Sequence, residues 1–201
     1  MTRLAHMNTT RKTTRLIIGI SGASGVVYGI EALRLLKDSD VETHLVMSKA
    51  AERTLKHESD MSAAGVKALA DVSYNPKDIG AAVASGSFQT AGMLVAPCSI
   101  KTMGEINTGI TSNLLSRAAD VVLKERRRLV LMVRETPLHL GHLRTMTSLS
   151  EIGAVIAPPV PAFYAKPKDL TEMVQQTVAR SLDLFDIECE ATKRWGEDLV
   201  E

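Results

Sequence analysis

Short, continuous apolar runs separated by segments of helical periodicity constrain this chain more than any other feature. Five such runs are present, at residues 15–20, 41–47, 92–96, 129–133 and 154–157. Continuous rather than alternating apolar strands are typical of a sheet that is covered on both faces. Strands that alternate with helices favour a parallel sheet. We therefore predict a single α/β domain, with a three-layer parallel sheet flanked by helices.

The helical segments follow from apolar spacing and from capping residues. Val27, Ile30, Leu33 and Leu36 recur at helical spacing after the first strand. Further helices are predicted from residue 50, over 110–127 and 140–152, and from Asp169 as N-cap through residue 185. Residues 65–72 are a weaker helical segment, and 73–80 are predicted to be a loop.

Composition excludes several classes of function. With 201 residues and a net charge of +1, the chain has no basic field to attract nucleic acid or an anionic membrane. No apolar run approaches the roughly 20 residues that span a bilayer. Two cysteines do not form a disulfide framework, so we expect a cytoplasmic protein.

Residues 1–14 carry basic side chains but no acidic residue and no apolar core of a secretory signal. We expect a flexible N-terminal tail, with residues 15–201 forming the domain. A short transit peptide and a start at Met7 are the alternatives.

Three loops that follow predicted strands are rich in glycine and hydroxyl groups. Ligands of parallel α/β sheets bind beyond the carboxyl ends of the strands. Taken singly, each loop is equally well a tight turn or a helix cap. Taken together, they favour a site for a nucleotide or another phosphate-bearing ligand. Their candidate residues are Gly22, Ala23, Ser24, Ser48, Ser99, Ile100, Lys101 and Thr102.

Several charged residues are candidates for phosphate binding or proton transfer. Arg134 and Glu135 follow the fourth strand directly, where an arginine can bind a phosphate and a glutamate can move a proton. A surface ion pair is the alternative. Lys124 begins a basic run at a predicted helix end, where solvated cations are common. Arg117 and Arg180 are otherwise ordinary helix-surface arginines, and Tyr164 lies in a proline-rich loop.

Metal and nucleophilic centres are not indicated. His139 and His142 are one turn apart but have no third ligand in view, so no metal is expected. There is no G-x-S-x-G elbow, and Cys98 has no evident histidine partner.

Taken in order, the motifs resemble the UbiX-like flavin prenyltransferases, from about residue 15 to residue 196. The branch called phenylacrylic or phenolic acid decarboxylase subunit is the most similar. The motifs are Ser21-Gly-Ala-Ser-Gly25, Ser48-Lys-Ala-Ala51, Glu58-Ser-Asp60, Ser85-Gly-Ser87, Pro97-Cys-Ser99, Arg117-Ala-Ala-Asp-Val121, Leu123-Lys-Glu-Arg126, Val133-Arg-Glu135, Pro161-Ala-Phe-Tyr164, Val178-Ala-Arg180 and Arg194-Trp-Gly196.

The resemblance implies a Rossmann-like (flavodoxin-like) domain and a metal-independent prenyl transfer. Reduced FMN would attack dimethylallyl phosphate through N5, phosphate would leave, and a second bond to flavin C6 would close a fourth ring. The product, prenylated FMN, would serve a UbiD-type decarboxylase. The family also implies a homo-oligomer, often a dodecamer. Protein cations would hold the leaving phosphate in place of a metal.

The resemblance also implies roles for individual residues. FMN would be bound by Gly22, Ala23, Ser24, Ser48, Ser99, Ile100, Lys101, Thr102 and Arg134. The prenyl phosphate would be bound by Arg117, Lys124, Arg134, Tyr164 and Arg180, some of them across a subunit interface. The catalytic residues would be Ser24, Glu58, Lys124 and Glu135.

Two rival functions remain open. An FMN-dependent cysteine decarboxylase shares this fold, but such enzymes typically have Pro-Ala-Ser-Ala-Asn-Thr where this chain has Pro97-Cys-Ser-Ile-Lys-Thr102. A non-catalytic carrier that only hands on FMN is the other. Retained FMN binding with loss of product in Glu135→Gln would distinguish an enzyme from a carrier.

Overall fold

A computed structural model describes residues 14–196. In this described part of the chain, six strands form one parallel sheet in the order β3-β2-β1-β4-β5-β6. This is the doubly wound order: the chain adds β2 and β3 on one side of β1, then returns to add β4, β5 and β6 on the other side. The strands are β1 (Thr14–Ile20), β2 (Val41–Met47), β3 (Val72–Tyr74), β4 (Gly92–Cys98), β5 (Arg128–Val133) and β6 (Ala154–Ile156).

Within residues 14–196, seven α-helices surround the sheet. They are α1 (Val26–Leu36), α2 (Lys49–Glu58), α3 (Ala63–Lys67), α4 (Ile100–Thr108), α5 (Leu114–Lys124), α6 (Leu140–Glu151) and α7 (Leu170–Leu182). None of the helices in the described part of the chain is long and apolar enough to cross a membrane.

The core lies in two layers, one on each face of the sheet. Successive side chains of a strand point to opposite faces, so Leu16 and Ile18 pack on the side of α1 and α7, whereas Ile17 packs on the side of α4 and α5. All three side chains are almost completely buried. The predicted three-layer parallel α/β domain is confirmed.

Four details differ from the sequence-based expectation. The edge strand β3 was not predicted, because its three residues are partly or fully exposed and do not form an apolar run. The helix predicted over 110–127 begins only at Leu114, where the Asn113 side chain caps it. The separate helix α4 precedes it and ends at Gly109, which adopts a left-handed conformation with φ +68°. Strand β4 runs through Pro97 to Cys98 rather than ending before it, with an irregular register that proline tolerates.

The expected domain boundary falls close to the start of β1 at Thr14. The rest of the predicted tail, residues 1–13, and the last five residues of the chain lie outside the described residues.

Candidate active site

The carboxyl ends of β1, β2 and β4 meet at one edge of the sheet, called the carboxyl edge below. Ser21, which is fully buried, joins two of the loops there. Its hydroxyl donates to the Pro97 carbonyl at 2.8 Å and accepts from the Ser99 amide at 2.7 Å. The Ser48 amide donates to the Ile20 carbonyl at 3.0 Å, which fixes the third loop. The three loops singled out from the sequence are therefore one structural unit.

Gly22 lies where the loop after β1 touches the first turn of α2. A β-carbon at this position would overlap the β-carbon of Ala50 and lie 3.2 Å from its carbonyl carbon. Only glycine permits so close an approach. The backbone after β1 is thus pressed against the beginning of α2.

The hydroxyls of Ser48 and Ser99 cap α2 and α4. Ser48 accepts from the Ala51 amide at 3.0 Å. Ser99 accepts from the Thr102 amide at 3.3 Å and lies 3.1 Å from the Thr102 hydroxyl. The interpretation of both serines as helix caps is therefore correct. It is compatible with a ligand site, because the N-termini of α2 and α4 meet at this edge and their dipoles favour an anion.

A cleft of about 370 Å³ opens between these loops. Its volume falls in the range of about 300–1,000 Å³ that is usual for small-molecule sites. Among the predicted FMN-binding residues, the cleft is lined by Gly22, Ser48, Ser99, Lys101 and Thr102. Its lining also includes Lys49, Arg53, Lys77 and Asn113.

Sequence reasoning assigned no role to Arg53 or Lys77. Arg53 lies one helical turn after Lys49, so helical spacing from the Ser48-Lys49 motif would have found it. Lys77 follows β3, the strand that was not predicted, so its position at the carboxyl edge was hidden.

A second group of polar residues lies at the start of α1. The helix has no side-chain cap of its own, and Gly25 precedes it with φ +97°. The Glu58 carboxylate supplies the cap by accepting from the Gly25 amide at 2.8 Å and the Val26 amide at 3.2 Å. Glycine accommodates this left-handed conformation at little cost.

Glu58 is held in its ionised form. Burial alone would raise the pKa of this carboxyl, but hydrogen bonds from the Ser24 hydroxyl and from the Gly25 and Val26 amides, together with the charge of Arg134, bring the pKa below its ordinary value. Arg134 also acts on Tyr28, whose pKa burial raises and the arginine lowers. Ser24, Glu58, Arg134 and Tyr28 therefore form one electrostatic cluster, and Tyr28 had not been singled out from the sequence.

Arg134 and Glu135 follow β5 at the same edge. The Arg134 amide donates to the Cys98 carbonyl at 3.1 Å, which ties its backbone to the loop after β4. The Glu135 side chain is exposed and accepts from the Thr136 amide at 3.0 Å. It forms no ion pair with Arg134, so the surface-pair alternative is not what the described residues show.

The helix α5 separates two of the predicted phosphate ligands. It begins near the cleft, where the Leu114 amide donates to the Pro76 carbonyl at 2.8 Å. Arg117, in its first turn, pairs with Asp120 at 2.7 Å. Lys124 ends the helix four residues before β5 starts, at the opposite edge, and contacts Glu125.

The other two candidates also lie away from the cleft. Arg180, near the end of α7, pairs with Asp183 at 3.6 Å. The following turn carries Phe185, which lies beside Gly92 at the start of β4 and so at the amino edge of the sheet. Tyr164 lies in the loop after β6, with its ring edge-on to Trp195 at 5.6 Å between centroids. One protomer thus brings five of the predicted flavin residues together in the cleft, but places Lys124 and Arg180 at the opposite edge of the sheet.

The fold and this cleft define a nucleotide-binding protein of the doubly wound α/β class. The family described as Flavoprotein matches residues 4–182. Flavin prenyltransferase UbiX of Escherichia coli K12 is 62% identical over 174 residues, which cover 86% of this chain and 92% of that protein. The chain belongs to the UbiX family of flavin prenyltransferases.

Solved structures agree. The crystal structure of AnUbiX (PadA1) in complex with FMN and dimethylallyl pyrophosphate has a TM-score of 0.89 and 50% identity, covering 91% of this chain and 97% of that one. A dodecameric FMN-dependent UbiX-like decarboxylase from E. coli O157:H7 has a TM-score of 0.88 and 49% identity, covering 90% of this chain and 99% of that one. The cysteine decarboxylase TvaF, at 18% identity and a TM-score of 0.60, shares the fold alone.

No group of three or more histidine, cysteine, aspartate or glutamate side chains within residues 14–196 is arranged to hold a metal ion. The rings of His139 and His142 lie 3.5 Å apart between centroids, and the His139 side chain caps α6. Burial raises the pKa of the Cys98 thiol to about 12, so this cysteine is a packed residue rather than a nucleophile.

Proposed function

We propose that this chain joins the dimethylallyl group of dimethylallyl phosphate to N5 and C6 of reduced FMN. The product, prenylated FMN, then serves a UbiD-type decarboxylase. The observation that carries the proposal is the juxtaposition at the carboxyl edge: a glycine-lined cleft with two helix N-termini lies beside the cluster of Ser24, Glu58 and Arg134. Membership of the UbiX family supports the same reaction.

The cleft fits FMN in three respects. Gly22 has no side chain, so the backbone of the loop after β1 itself forms part of the wall of the cleft. Hydroxyls suited to a ribityl chain line the wall, and the helix N-termini favour the phosphate. FMN would therefore be held by Gly22, Ala23, Ser24, Ser48, Ser99, Ile100, Lys101, Thr102 and Arg134.

Reduced FMN, when bound, supplies the nucleophilic atoms N5 and C6. Ser24 and Glu58 would lie near N5, with the serine hydroxyl oriented by its hydrogen bond to the carboxylate. Because the pKa of Glu58 is lowered, this carboxylate is ionised near neutral pH and would accept a proton through Ser24 rather than donate one. Glu135, exposed at the mouth, would handle a proton or position the phosphate.

The leaving phosphate would be held by Arg117, Lys124, Arg134, Tyr164 and Arg180. Cations placed where the charge develops lower the barrier. Since Lys124 and Arg180 lie at the amino edge of their own protomer, one complete site requires residues from neighbouring subunits. We therefore propose a homo-oligomer, a dodecamer as in the E. coli relative.

Exposed apolar side chains support assembly. Contiguous exposed apolar surface on a globular protein marks interaction sites. Large exposed apolar residues lie on and beside α6 and in the segments before and after α7, namely Leu138, Leu140, Leu143, Ile152, Val160, Phe163, Leu170 and Trp195.

The test is an anaerobic incubation of the purified protein with reduced FMN and dimethylallyl phosphate, followed by mass spectrometry of the extracted flavin. A flavin heavier by one C5H8 unit is expected, with release of one phosphate. Dimethylallyl pyrophosphate in a parallel reaction establishes the preferred donor. Glu135→Gln should bind FMN and yield no product, whereas Glu151→Gln, at the far end of α6, should behave as wild type.

Other outcomes assign other functions. Unmodified FMN with the wild-type protein would contradict prenyl transfer and leave a carrier. Oxidative decarboxylation of a peptide ending in cysteine, with no prenylated flavin, would indicate the cysteine decarboxylase.

The two cysteines bear on the compartment. Both Cys98 and Cys189 are free thiols, which supports a reducing environment and hence the cytoplasm. We also keep residues 15–201 as the FMN-binding domain and residues 1–14 as a tail.

A further inference from the structure

Four cationic side chains line the cleft, and their partners divide them into two kinds. Lys49 pairs with Glu52 at 2.8 Å, and Lys101 pairs with Glu105 at 2.9 Å. Arg53 and Lys77 have no carboxylate within ion-pair distance among residues 14–196. The cleft therefore carries an uncompensated charge of about +2.

Lys49 and Lys101 are less available to a ligand than Arg53 and Lys77, because each is paired with a glutamate. Glu52 also accepts from Lys67 at 2.7 Å, and the hydrogen bonds from the two lysines hold its pKa below its ordinary value. Glu105 is bound in addition by the Ser112 hydroxyl at 2.7 Å. Each carboxylate is thus fixed in its ion pair, and these pairs contribute little attraction to an anion.

The backbones that carry Arg53 and Lys77 are well anchored. Arg53 is on the second turn of α2, the helix whose first turn packs against Gly22. Lys77 follows buried Pro76, whose carbonyl accepts from the Leu114 amide, and its own amide donates to the Asn75 side chain at 3.1 Å. Two exposed cations therefore project from fixed positions on neighbouring walls of the cleft.

We propose that Arg53 and Lys77 form a clamp for the terminal phosphate of the flavin and so make the enzyme selective for FMN over riboflavin. This inference rests on the proposed binding of FMN in the cleft. The reactive ring belongs at the cluster of Ser24, Glu58 and Arg134, which lies outside the lining of the cleft, so the ribityl phosphate would extend into the cleft, where these cations lie. A phosphate monoester carries nearly two negative charges near pH 7, which matches the two unpaired cations.

The alternative occupant is the phosphate of the prenyl donor. The cations that the family resemblance assigns to that group are Arg117, Lys124, Arg134 and Arg180, and none of these four lines the cleft. The donor must also reach N5, which lies at the Ser24 end of the site. The geometry therefore favours the flavin phosphate as the ligand of Arg53 and Lys77.

The experiment measures the dissociation constants of FMN and riboflavin for the intact protein by quenching of flavin fluorescence. The variants are Arg53→Gln, Lys77→Gln and the double variant. Lys56→Gln, a charge-matched change on α2 outside the cleft, is the control. Each lost charge-assisted bond should weaken FMN binding by roughly tenfold to a hundredfold, and riboflavin binding should stay within about twofold.

Three results would overturn the clamp. FMN affinity that is unchanged in the double variant would do so, and so would an equal loss for FMN and riboflavin. The third is a raised KM for dimethylallyl phosphate at saturating FMN with unaltered FMN affinity, which would assign the two cations to the donor.

The clamp and the proposed reaction fail in different ways. If the wild-type protein yields no prenylated flavin but the variants lose FMN selectively, the clamp stands and the reaction does not. If prenylated flavin forms normally and the variants retain FMN affinity, the reaction stands and the clamp does not.

Discussion

The cationic side chains at the two edges of the sheet differ in the partners that they contact. At the carboxyl edge, Arg53 and Lys77 lack carboxylate partners among the described residues, and Arg134 acts on Glu58 and Tyr28. At the amino edge, Arg127 donates to the carbonyls of Gly86 and Phe88, both at 2.7 Å. Arg180 there pairs with Asp183. Arg53 and Lys77 at the first edge therefore remain available to a ligand, whereas Arg127 and Arg180 at the second are engaged in contacts within the protomer.

The difference follows from the architecture of parallel sheets. Helix N-termini, which favour anions, gather at the carboxyl edge, and the carbonyl ends of the helices gather at the amino edge. A cation at the amino edge is therefore stabilised by the protein itself. In the proposed reaction, Lys124 and Arg180 would bind the phosphate only where another protomer presents its carboxyl edge to them.

The largest expected effect tests this composite site. Lys124→Ala and Arg134→Ala should each lower prenyl transfer on the order of 10²–10³-fold, the usual loss when one electrostatic donor is removed. Mixed oligomers of the two variants, formed by co-expression with two affinity tags, should regain about a quarter of the wild-type activity. With random assembly and a site shared between two protomers, one site in four has both residues intact.

Homogeneous oligomers of the double variant provide the control, and they should stay inactive. If the mixed oligomers gain nothing over the separate variants, both residues act within one protomer, and the comparison of the two edges fails.

The next effect concerns the close approach at the carboxyl edge. Gly22→Ala would force a β-carbon into that of Ala50 and should destabilise the fold by about 1–3 kcal/mol. The loop after β1 must also move, so FMN binding should be lost. Gly104→Ala is the matched control, because a β-carbon there meets nothing within 4 Å and a helical alanine should stabilise by about 0.5–1 kcal/mol. Urea unfolding and FMN titration measure both.

Normal FMN affinity in Gly22→Ala would show that the cleft adapts to the added methyl group. The close approach of the backbone at Gly22 would then have no role in FMN recognition, and FMN binding at the carboxyl edge would depend on charge alone.

Much of the carboxyl edge could be predicted from the sequence, for a physical reason. Its residues follow strands directly, and five of the six strands are apolar runs long enough to identify. Gly22, Ser48 and Ser99 were therefore placed correctly beside one another. The capping roles of the two serines were also foreseeable, because hydroxyls before a helix satisfy its free amides.

What escaped prediction depends on contacts distant in sequence. Lys77 needed the edge strand β3, which three residues do not reveal. The cap on α1 comes from Glu58, more than thirty residues later, so no local pattern indicates it. Arg127 belongs to the basic run that begins at Lys124, where solvated cations are common, but it binds two carbonyls that lie about forty residues earlier in the chain.

For Arg127 at the amino edge, we predict a substitution that changes the free energy of unfolding without changing FMN binding. Arg127→Ala removes both hydrogen bonds to the loop before β4 and should lower the free energy of unfolding by about 2 kcal/mol. Arg126→Gln, at the exposed neighbouring position, should change it by less than about 0.5 kcal/mol. Both variants should bind FMN as wild type. A loss of FMN affinity in Arg127→Ala without a loss of stability would contradict a purely structural role.

The smallest effect is the pH dependence of the cap on α1. Glu58→Gln retains an acceptor for the Gly25 amide but loses the negative charge at the helix N-terminus, which should cost about 0.5–1 kcal/mol at pH 7. Because the folded pKa of Glu58 is lowered, the charge stabilises the fold above the ordinary pKa of about 4.3. That contribution is lost as the pH falls through the lower folded value.

The stability gap between wild type and Glu58→Gln should therefore be complete from pH 7 to pH 5 and should close below about pH 4. Urea unfolding at fixed protein concentration measures it, with Glu151→Gln as the exposed control. A gap that widens on acidification would mean that Glu58 is protonated in the folded state. It would then be a proton donor, and the carboxyl edge would lack the fixed negative charge that balances Arg134.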